Sequence, residues 1–178
     1  MGSTFDETAV KLGGETNAST KVIEERLAAT GAVVMGRRMY SGGAGPWEND
    51  PNAGGWWGDD PPFHVPVFVL TSHPRETVTM KGGTTFTFVT DGIEAALDEA
   101  RAAAEDRDVY VSGGASVVQQ YLEAGLLDEL QVNLAPVLLG GGTRLFDSGM
   151  AALAVLEIVS VVEAPAVTHL KYRVTKRR

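Results

Sequence analysis

The segment DVYVSGGASVVQQYLEAG, residues 108–125, decides how this chain is expected to fold. It opens with β-branched and aromatic residues that favour a strand, and its later apolar residues recur at the spacing of a helix face. Gly113 and Gly114 stand between the two elements. A strand that passes through glycines into a helix presents free backbone N–H groups at the positive end of the helix dipole, where phosphate binds. A glycine pair alone is explained equally well by a tight turn.

Two adjacent arginines follow another apolar run. In VVMGRRMY, residues 33–40, the predicted strand ends in glycine, and Arg37 and Arg38 come directly after it. Two solvated cations on the first turn of a helix would be disfavoured by the helix dipole. Because the planar guanidinium suits phosphate recognition, the placement favours an anion site in this acidic protein.

A third strand ends in hydroxyl groups. VFVLTSHP, residues 67–74, carries Thr71 and Ser72 after its apolar run. In open α/β sheets, ligands bind beyond the carboxyl ends of the strands, so the three strand ends are expected to converge on one ligand. An extended anion with a pyrophosphate and a 2′-phosphate would engage all three.

The whole pattern alternates strands with helices over 178 residues. It predicts an α/β fold with an open twisted sheet, mostly parallel, with a C-terminal antiparallel hairpin and helices on both faces. We expect a single domain over residues 1–178, with residues 1–17 irregular. The predicted elements are a helix capped by Ser19 or Thr20 and ended by Gly31, strands at 32–35, 67–71 and 130–142, a hairpin turning at Gly82 and Gly83, a helix capped by Asp91, and a closing strand pair at 154–162 and 166–176.

Composition excludes several classes of function. The net charge of −8 makes nucleic acid and anionic membranes poor partners. No apolar run is long enough to span a bilayer, and the N-terminus lacks a secretory apolar region. The absence of cysteine excludes disulfides and thiolate nucleophiles, which is consistent with a cytoplasmic protein.

The histidines do not predict a metal site. His64, His73 and His169 are spread along the chain without the spacing of metal ligands. His169 is expected to face solvent from an edge strand. No Ser–His–Asp arrangement can be argued from the sequence, and no catalytic acid is identified.

A long Gly- and Pro-rich insertion, residues 41–66, carries all three tryptophans of the chain. Irregular loops of this length are usually functional or disordered. Trp47 and Trp57 are candidates for an aromatic wall that binds a heterocyclic substrate. Alternatively, the tryptophans fasten the loop to the body of the protein or to a partner subunit.

The motifs VVMGRRMY, VFVLTSHP, VYVSGGASVVQQYLEAGLLDEL and LAPVLLGGGTRLF together resemble the dihydrofolate-reductase-like superfamily. Within it they resemble most the branch named for the C-terminal reductase domain of RibD in riboflavin biosynthesis, and the resemblance covers roughly residues 19–176. It implies a dihydrofolate-reductase-like fold that binds NADPH. By position, the 2′-phosphate end would be held by Gly36, Arg37, Arg38, Thr71 and Ser72, the pyrophosphate by Gly113, Gly114, Ala115 and Ser116, and the nicotinamide would lie near Val111 and Ser112.

The resemblance implies an NADPH-dependent reductase of a small heterocyclic substrate, similar to 5-amino-6-(5-phosphoribosylamino)uracil reductase. One alternative is dihydrofolate reductase, in which an acidic residue early in the first helix donates a proton. The matching region here contains no carboxylate before Glu24, which weakens that alternative. Two non-enzymatic interpretations stay open as well: a nucleotide-binding protein without turnover, and a structural dimer whose glycines only form turns. Members of the family are commonly dimers that pair through the C-terminal strands, so a homodimer is expected.

The N-terminus departs from the family. Family members begin with a central strand, and residues 1–17 show no such pattern. We expect that strand either upstream of this sequence or replaced by another segment, because a sheet without a central strand exposes unpaired backbone groups.

Overall fold

The computed structural model describes residues 16–43, 45–146 and 154–176. Their contacts divide the chain into two compact units. The first unit comprises Ala29–Gln120, and the second comprises the residues up to Ala28 together with those from Tyr121 onward. The expectations for residues 1–15, including the missing first strand, lie outside the described residues. The single domain expected over the whole chain stays a prediction.

The first unit contains a five-stranded sheet with the strand order β3-β4-β2-β1-β5. Strands β4, β2, β1 and β5 are parallel, and β3 pairs antiparallel with β4 at one edge. This arrangement confirms the mostly parallel sheet. The strands are β1 (Thr30–Gly36), β2 (Pro66–Leu70), β3 (Val78–Thr79), β4 (Thr85–Val89) and β5 (Asp108–Gly113), and the helices that begin in this unit are α2 (Arg37–Ser41), α3 (Gly92–Ala104) and α4 (Ala115–Glu123).

β1 is the buried central strand. All seven of its residues are buried, as expected for a parallel strand covered on both faces. Gly31 lies inside this strand, so the prediction that it ends the preceding helix is wrong. A Cβ at Gly31 would stand 2.6 Å from the carbonyl oxygen of Ala104, and glycine therefore allows the end of α3 to approach β1.

The two faces of this sheet are covered differently. One face carries an aromatic cluster, in which Tyr40 from α2 and Phe86 and Phe88 from β4 pack with alternate residues of β1 and β2. The insertion packs against that cluster through Trp47 and Trp57. Helix α3 lies against β1 and β2 through buried alanines and Leu97, none of which belongs to the cluster, so the helix covers the other face. The irregular insertion thus helps to cover one face of the sheet, and helix α3 covers the other.

Of two predicted local signals, one is confirmed and one differs in detail. The turn between β3 and β4 occurs at Gly82 and Gly83, as predicted, and their φ angles of 71° and 90° favour glycine. Asp91 stands at the N-cap position of α3, but its side chain makes no capping hydrogen bond.

The second unit contains helix α1 and a three-stranded antiparallel sheet. Helix α1 spans Ala18–Ala29, and its last residue belongs to the first unit. The strands of the sheet are β6 (Glu129–Leu134), β7 (Ala154–Ala164) and β8 (Val167–Lys176), in the order β6-β8-β7. The closing antiparallel pair is therefore confirmed. The long strand predicted over 130–142 is wrong beyond Leu134. Pro136 cannot donate to a strand ladder, and Val137 N–H instead bonds Ala135 O at 2.9 Å in a tight turn.

Asn17, and not Ser19 or Thr20, caps α1. The Asn17 side-chain oxygen accepts the Ser19 N–H at 2.8 Å, and the Asn17 N–H donates to the Thr20 hydroxyl at 3.2 Å. Two backbone donors that the helix itself cannot satisfy are thereby paired, as in a capping box.

Among the described helices, none is long and apolar enough to cross a membrane.

His169 is buried, contrary to the prediction that it faces solvent. β8 is the middle strand of its sheet, and only 5% of His169 is exposed. Its Nε2 hydrogen bonds the Ser19 hydroxyl at 2.8 Å, and its Nδ1 hydrogen bonds the Asn133 side-chain oxygen at 2.7 Å. These two bonds tie α1 and β6 to the middle strand.

Replacing Ser19 with alanine is expected to lower the free energy of unfolding by about 1–3 kcal/mol, because His169 Nε2 is left buried without a partner. The cap is retained, since it uses only the backbone of Ser19. Urea denaturation measures the change. Ser160→Ala on exposed β7 is the control, with an expected change within about 0.5 kcal/mol. Equal stability of the two variants would show that the Ser19–His169 bond contributes nothing.

Candidate functional site

Three strand ends meet at one edge of the first unit's sheet. Gly36 at the end of β1 pairs with Leu70 at the end of β2, and Met35 pairs with Gly113 at the end of β5. Because all three strands are parallel, the residues that follow them emerge side by side. The structure thus brings together the three sequence segments that were predicted to converge.

The glycine pair forms an open turn before α4. Gly113 has a φ of 112°, which favours glycine, and the peptide bond between Gly113 and Gly114 is cis. Apart from the glycine itself and its two chain neighbours, no described residue has an atom within 4 Å of a Cβ built on either glycine. Space in front of the turn is therefore open, and a ligand can approach the backbone closely.

Helix α4 starts directly behind this turn. Gly114 O accepts the Val117 and Val118 N–H groups at 3.0 and 3.2 Å, and the first-turn N–H groups of a helix have no acceptor within the helix itself. Ala115 is half-buried and Ser116 is exposed. Open space, N–H donors and the positive end of a helix dipole together form a place for a phosphate group.

Gly36 sets the distance between β1 and this turn. A Cβ at Gly36 would lie 2.9 Å from Val117 Cγ2 and 3.7 Å from Gly114 N. Glycine therefore lets the start of α4 pack closely against the end of β1.

Two hydroxyl residues, Thr71 and Ser72, follow the end of β2, and their surroundings differ. The Thr71 hydroxyl accepts the His73 N–H at 3.1 Å, and Thr71 N–H bonds Val89 O at 3.1 Å. Thr71 is half-buried, whereas Ser72 is exposed. On β5, Val111 and Ser112 are half-buried just before the glycine turn.

The two adjacent arginines differ in their surroundings. Arg37 is 8% exposed, and its Nη2 lies 2.6 Å from the Asp50 Oδ2 of the insertion. Arg37 also contacts the Ser41 hydroxyl, and its guanidinium stands 3.5 Å from the centroid of the Trp47 ring. Arg38 is exposed and forms no ion pair within the described part of the chain.

Asp50 is the residue at this edge that sequence reasoning missed. Its side chain is 2% exposed, and its Oδ2 accepts a hydrogen bond from the Ser41 hydroxyl at 2.7 Å. The Ser41 hydrogen bond, aided by Asn52 N–H and Arg37, holds the pKa of Asp50 below its ordinary value despite burial. A single carboxylate in a Gly- and Pro-rich loop carries no local signal that it will be buried.

Trp47 is held from several sides. Two guanidinium groups lie over its ring, with 3.5 Å from the ring centroid to Arg37 Cζ and 4.9 Å to Arg75 Cζ. Its indole N–H donates to His73 O at 2.9 Å, and its ring meets Phe88 edge-on at 4.9 Å. These contacts fasten the insertion to the ends of β1 and β2.

Trp57 is also packed, whereas Trp56 has an open side. The Trp57 ring contacts Phe63 edge-on at 4.8 Å and stacks on Trp56 at 4.1 Å. Trp56 is 56% exposed, and its indole N–H donates to Met39 O at 2.9 Å. The packing of Trp47 and Trp57 favours the alternative in which they fasten the loop, and a substrate wall stays a prediction.

Within the described residues, no cluster of three His, Asp or Glu side chains could hold a metal ion.

Comparison with known proteins places this geometry in a family. The family model of the RibD C-terminal domain matches residues 5–170. No curated protein matches the sequence.

Among solved structures, a protein from Shewanella sp. PV-4 assigned to riboflavin biosynthesis is 21% identical, with a TM-score of 0.63 over 86% of this chain and 78% of that one. A pyrimidine reductase-like protein from Corynebacterium diphtheriae is 14% identical, with a TM-score of 0.54 over 92% of this chain and 83% of that one. The Thermotoga maritima diaminohydroxyphosphoribosylaminopyrimidine deaminase/5-amino-6-(5-phosphoribosylamino)uracil reductase is 18% identical, with a TM-score of 0.51 over 87% of this chain. This chain spans 48% of the length of that enzyme. At these identities the likeness shows the fold.

Asp50→Asn is expected to lower stability at neutral pH, because buried Arg37 loses its counter-ion. Since the pKa of Asp50 is lowered on folding, its ionic contribution is present above the ordinary value of 3.8 and is lost as the pH falls below it. The difference in free energy of unfolding between wild type and variant should therefore shrink on acidification, as urea denaturation at a series of pH values can measure. Asp59→Asn removes an exposed partner of Lys81 and is the control, with little effect at any pH. A difference that stays constant through the acid range would show that the charge of Asp50 does not contribute.

Proposed function

The chain belongs to the RibD C-terminal domain family, and on that premise we propose that it is an NADPH-dependent reductase of a small heterocyclic substrate. The observation that carries the proposal is the open glycine turn at the start of α4, beside the ends of β1 and β2. One edge of the sheet offers a phosphate cradle, an exposed cation and a free hydroxyl. A phosphorylated dinucleotide can bind all three groups through its pyrophosphate and its 2′-phosphate.

The pyrophosphate of the dinucleotide is assigned to the glycine turn. Gly113 and Gly114 leave the space for it, and the N–H groups at Ala115 and Ser116 are the donors, with the Ser116 hydroxyl as a further donor. Val111 precedes the turn on β5 and, with Ser112, borders the nicotinamide end. Bound NADPH would supply the hydride, and the chain supplies its binding and orientation.

The 2′-phosphate is assigned to the ends of β1 and β2. Arg38 and Ser72 are exposed there, while Thr71 shapes the turn that presents Ser72. Gly36 and Arg37 complete the predicted set, although the charge of Arg37 is already balanced by Asp50. NADH lacks the 2′-phosphate, so this end of the site is where the two cofactors would be discriminated.

The substrate class follows from the family and from the names of the structural neighbours. The Thermotoga maritima enzyme reduces 5-amino-6-(5-phosphoribosylamino)uracil, as its name states, and we propose a related aminopyrimidine or similar heterocycle for this chain. Dihydrofolate is the alternative substrate, but the first turn of α1 contains no acidic residue. NADPH oxidation followed by absorbance, with each of the two compounds in turn, separates them. Binding of NADPH without oxidation by either compound would favour a nucleotide-binding protein without turnover.

Ser116→Glu is expected to weaken NADPH binding by about tenfold or more, because a carboxylate would face the pyrophosphate. The fold should not suffer, since an acidic residue in the first turn of a helix is favoured by the dipole. Isothermal titration calorimetry gives the affinity and thermal melting gives the stability. Ser116→Gln, of the same size but neutral, is the matched control and should bind more tightly than the glutamate variant. Wild-type affinity in Ser116→Glu would place the pyrophosphate elsewhere.

A homodimer is proposed through the sheet of the second unit. Ile158 pairs with Tyr172 of β8, and Val161 pairs with Leu170. Tyr172 and Leu170 are two residues apart and share one face of β8, so Ile158 and Val161 also lie on that face. The register shift between Ile158 and Ser160 brings Val161, instead of Ser160, to the same face as Ile158. Ile158 is 71% exposed and Val161 is 56% exposed in the single chain. Contiguous apolar surface of this kind on a soluble protein marks a protein–protein contact.

Ile158→Lys is expected to convert the dimer into a monomer, because an ammonium group cannot be buried without a partner. Light scattering after size-exclusion chromatography measures the mass. Ser160→Lys, on the same strand but on the opposite face, is the control and should leave the dimer intact. A wild-type protein that is monomeric at micromolar concentration would contradict the proposal.

A further inference from the structure

We propose that Asp50 is a specificity-determining residue that weakens the preference for the 2′-phosphorylated cofactor. It does so by acting as an internal counter-ion to Arg37, which leaves Arg38 as the cation for the phosphate. This inference rests on the proposed binding of NADPH at the edge formed by β1, β2 and β5.

The Asp50 carboxylate is the counter-ion of the buried Arg37 guanidinium. The pair is 2.6 Å apart, with 8% and 2% of the two side chains exposed. The guanidinium carbon also stands 3.5 Å from the centroid of the Trp47 ring. Arg37 thus contacts both a carboxylate and an aromatic ring, and both come from the insertion.

The carboxylate is fixed in place by its own loop. Its Oδ2 accepts the Ser41 hydroxyl at 2.7 Å, and its Oδ1 accepts the Asn52 N–H at 2.9 Å. A Cβ at Gly43 would stand 2.5 Å from Asp50 Oδ2, so glycine is required where the chain closes around the carboxylate. Asp50 is therefore a built counter-ion, not a surface carboxylate that happens to lie near an arginine.

The electrostatic consequence follows from charge balance. Arg37 comes directly after Gly36, which lies against the glycine turn, so its backbone stands at the edge of the sheet proposed for the dinucleotide. With Asp50 ionised, the pair is neutral as a whole and attracts a distant phosphate only weakly. Arg38 is exposed and without an ion pair in the described residues, so its charge remains for the ligand. Loss of the Asp50 charge would leave the positive charge of Arg37 unbalanced at the same edge of the sheet, where it would attract the phosphate.

The decisive variant is Asp50→Asn. The asparagine oxygen can still accept the Asn52 N–H, and its NH2 group can donate to the Ser41 hydroxyl, so both contacts are retained without the charge. We expect its dissociation constant for NADPH to fall about five- to tenfold relative to wild type, because a full positive charge is added near the 2′-phosphate. The dissociation constant for NADH, which has a hydroxyl at that position, should stay within about twofold. Calorimetry measures both constants without any need for turnover.

Asp59→Asn is the matched control, since it removes the same charge from an exposed position of the same insertion. It should leave the ratio of the two constants unchanged. An unchanged or lower NADPH preference in Asp50→Asn overturns the inference, and so does an equal shift in both variants, because it would reflect net charge alone.

Two further variants keep the test decisive if Asp50→Asn folds poorly. The double variant Arg37→Gln/Asp50→Asn removes the pair as a unit and should keep the wild-type ratio, whereas Arg38→Gln should remove the NADPH preference. A double variant that loses the preference, with Arg38→Gln retaining it, would identify Arg37 as the phosphate ligand and overturn the inference. Wild-type protein that binds neither dinucleotide overturns the proposed function and this inference together. Binding of both with unaltered ratios overturns the inference alone.

Discussion

The parallel pairing of β1 with β2 on one side and with β5 on the other is the constraint on which the candidate site depends. This pairing fixes the ends of three strands in one row, with Gly36 opposite Leu70 and Met35 opposite Gly113. A slip of one residue would turn every side chain of β1 to the opposite face and would move the glycines away from Ala104 and Val117, where a Cβ is too close. Glycines near both ends of the strand then set the distances to the neighbouring layers, Gly31 towards α3 and Gly36 towards α4.

The insertion couples the covering of the sheet to the chemistry of the site. It buries the aromatic face through ring contacts, and the indole N–H groups of Trp47 and Trp56 donate to the backbone carbonyls of His73 and Met39. Aromatic burial supplies most of the favourable free energy in such a contact, whereas a buried ion pair mainly selects one geometry. The Asp50–Arg37 pair selects a geometry in which the loop neutralises a cation at the strand ends. The same segment therefore stabilises the fold and adjusts the field at the proposed ligand.

Much of the fold follows from periodicity and from the position of glycine. The buried strands, the hairpin at Gly82 and Gly83 and the strand–glycine–helix unit depend on local patterns, and the structure has them where the sequence predicts them. The strand ends are adjacent because parallel strands share one direction. Roles that depend on distant residues could not be predicted in this way. Arg37 is buried because of Asp50, thirteen positions later, and His169 is buried because of Ser19 and Asn133. The apolar run after Pro136 resembles a strand in composition, but it forms no ladder in the structure.

The location of the tryptophans gives the molecule an intrinsic probe of cooperativity. All three lie in the insertion and hence in the unit formed by Ala29–Gln120. Their emission reports the unfolding of that unit, whereas far-ultraviolet circular dichroism also records α1 and the β6-β8-β7 sheet. Coincidence of the two melting curves would mean that the chain unfolds as one cooperative body, and a separation would reveal a partly folded state in which one sheet outlasts the other.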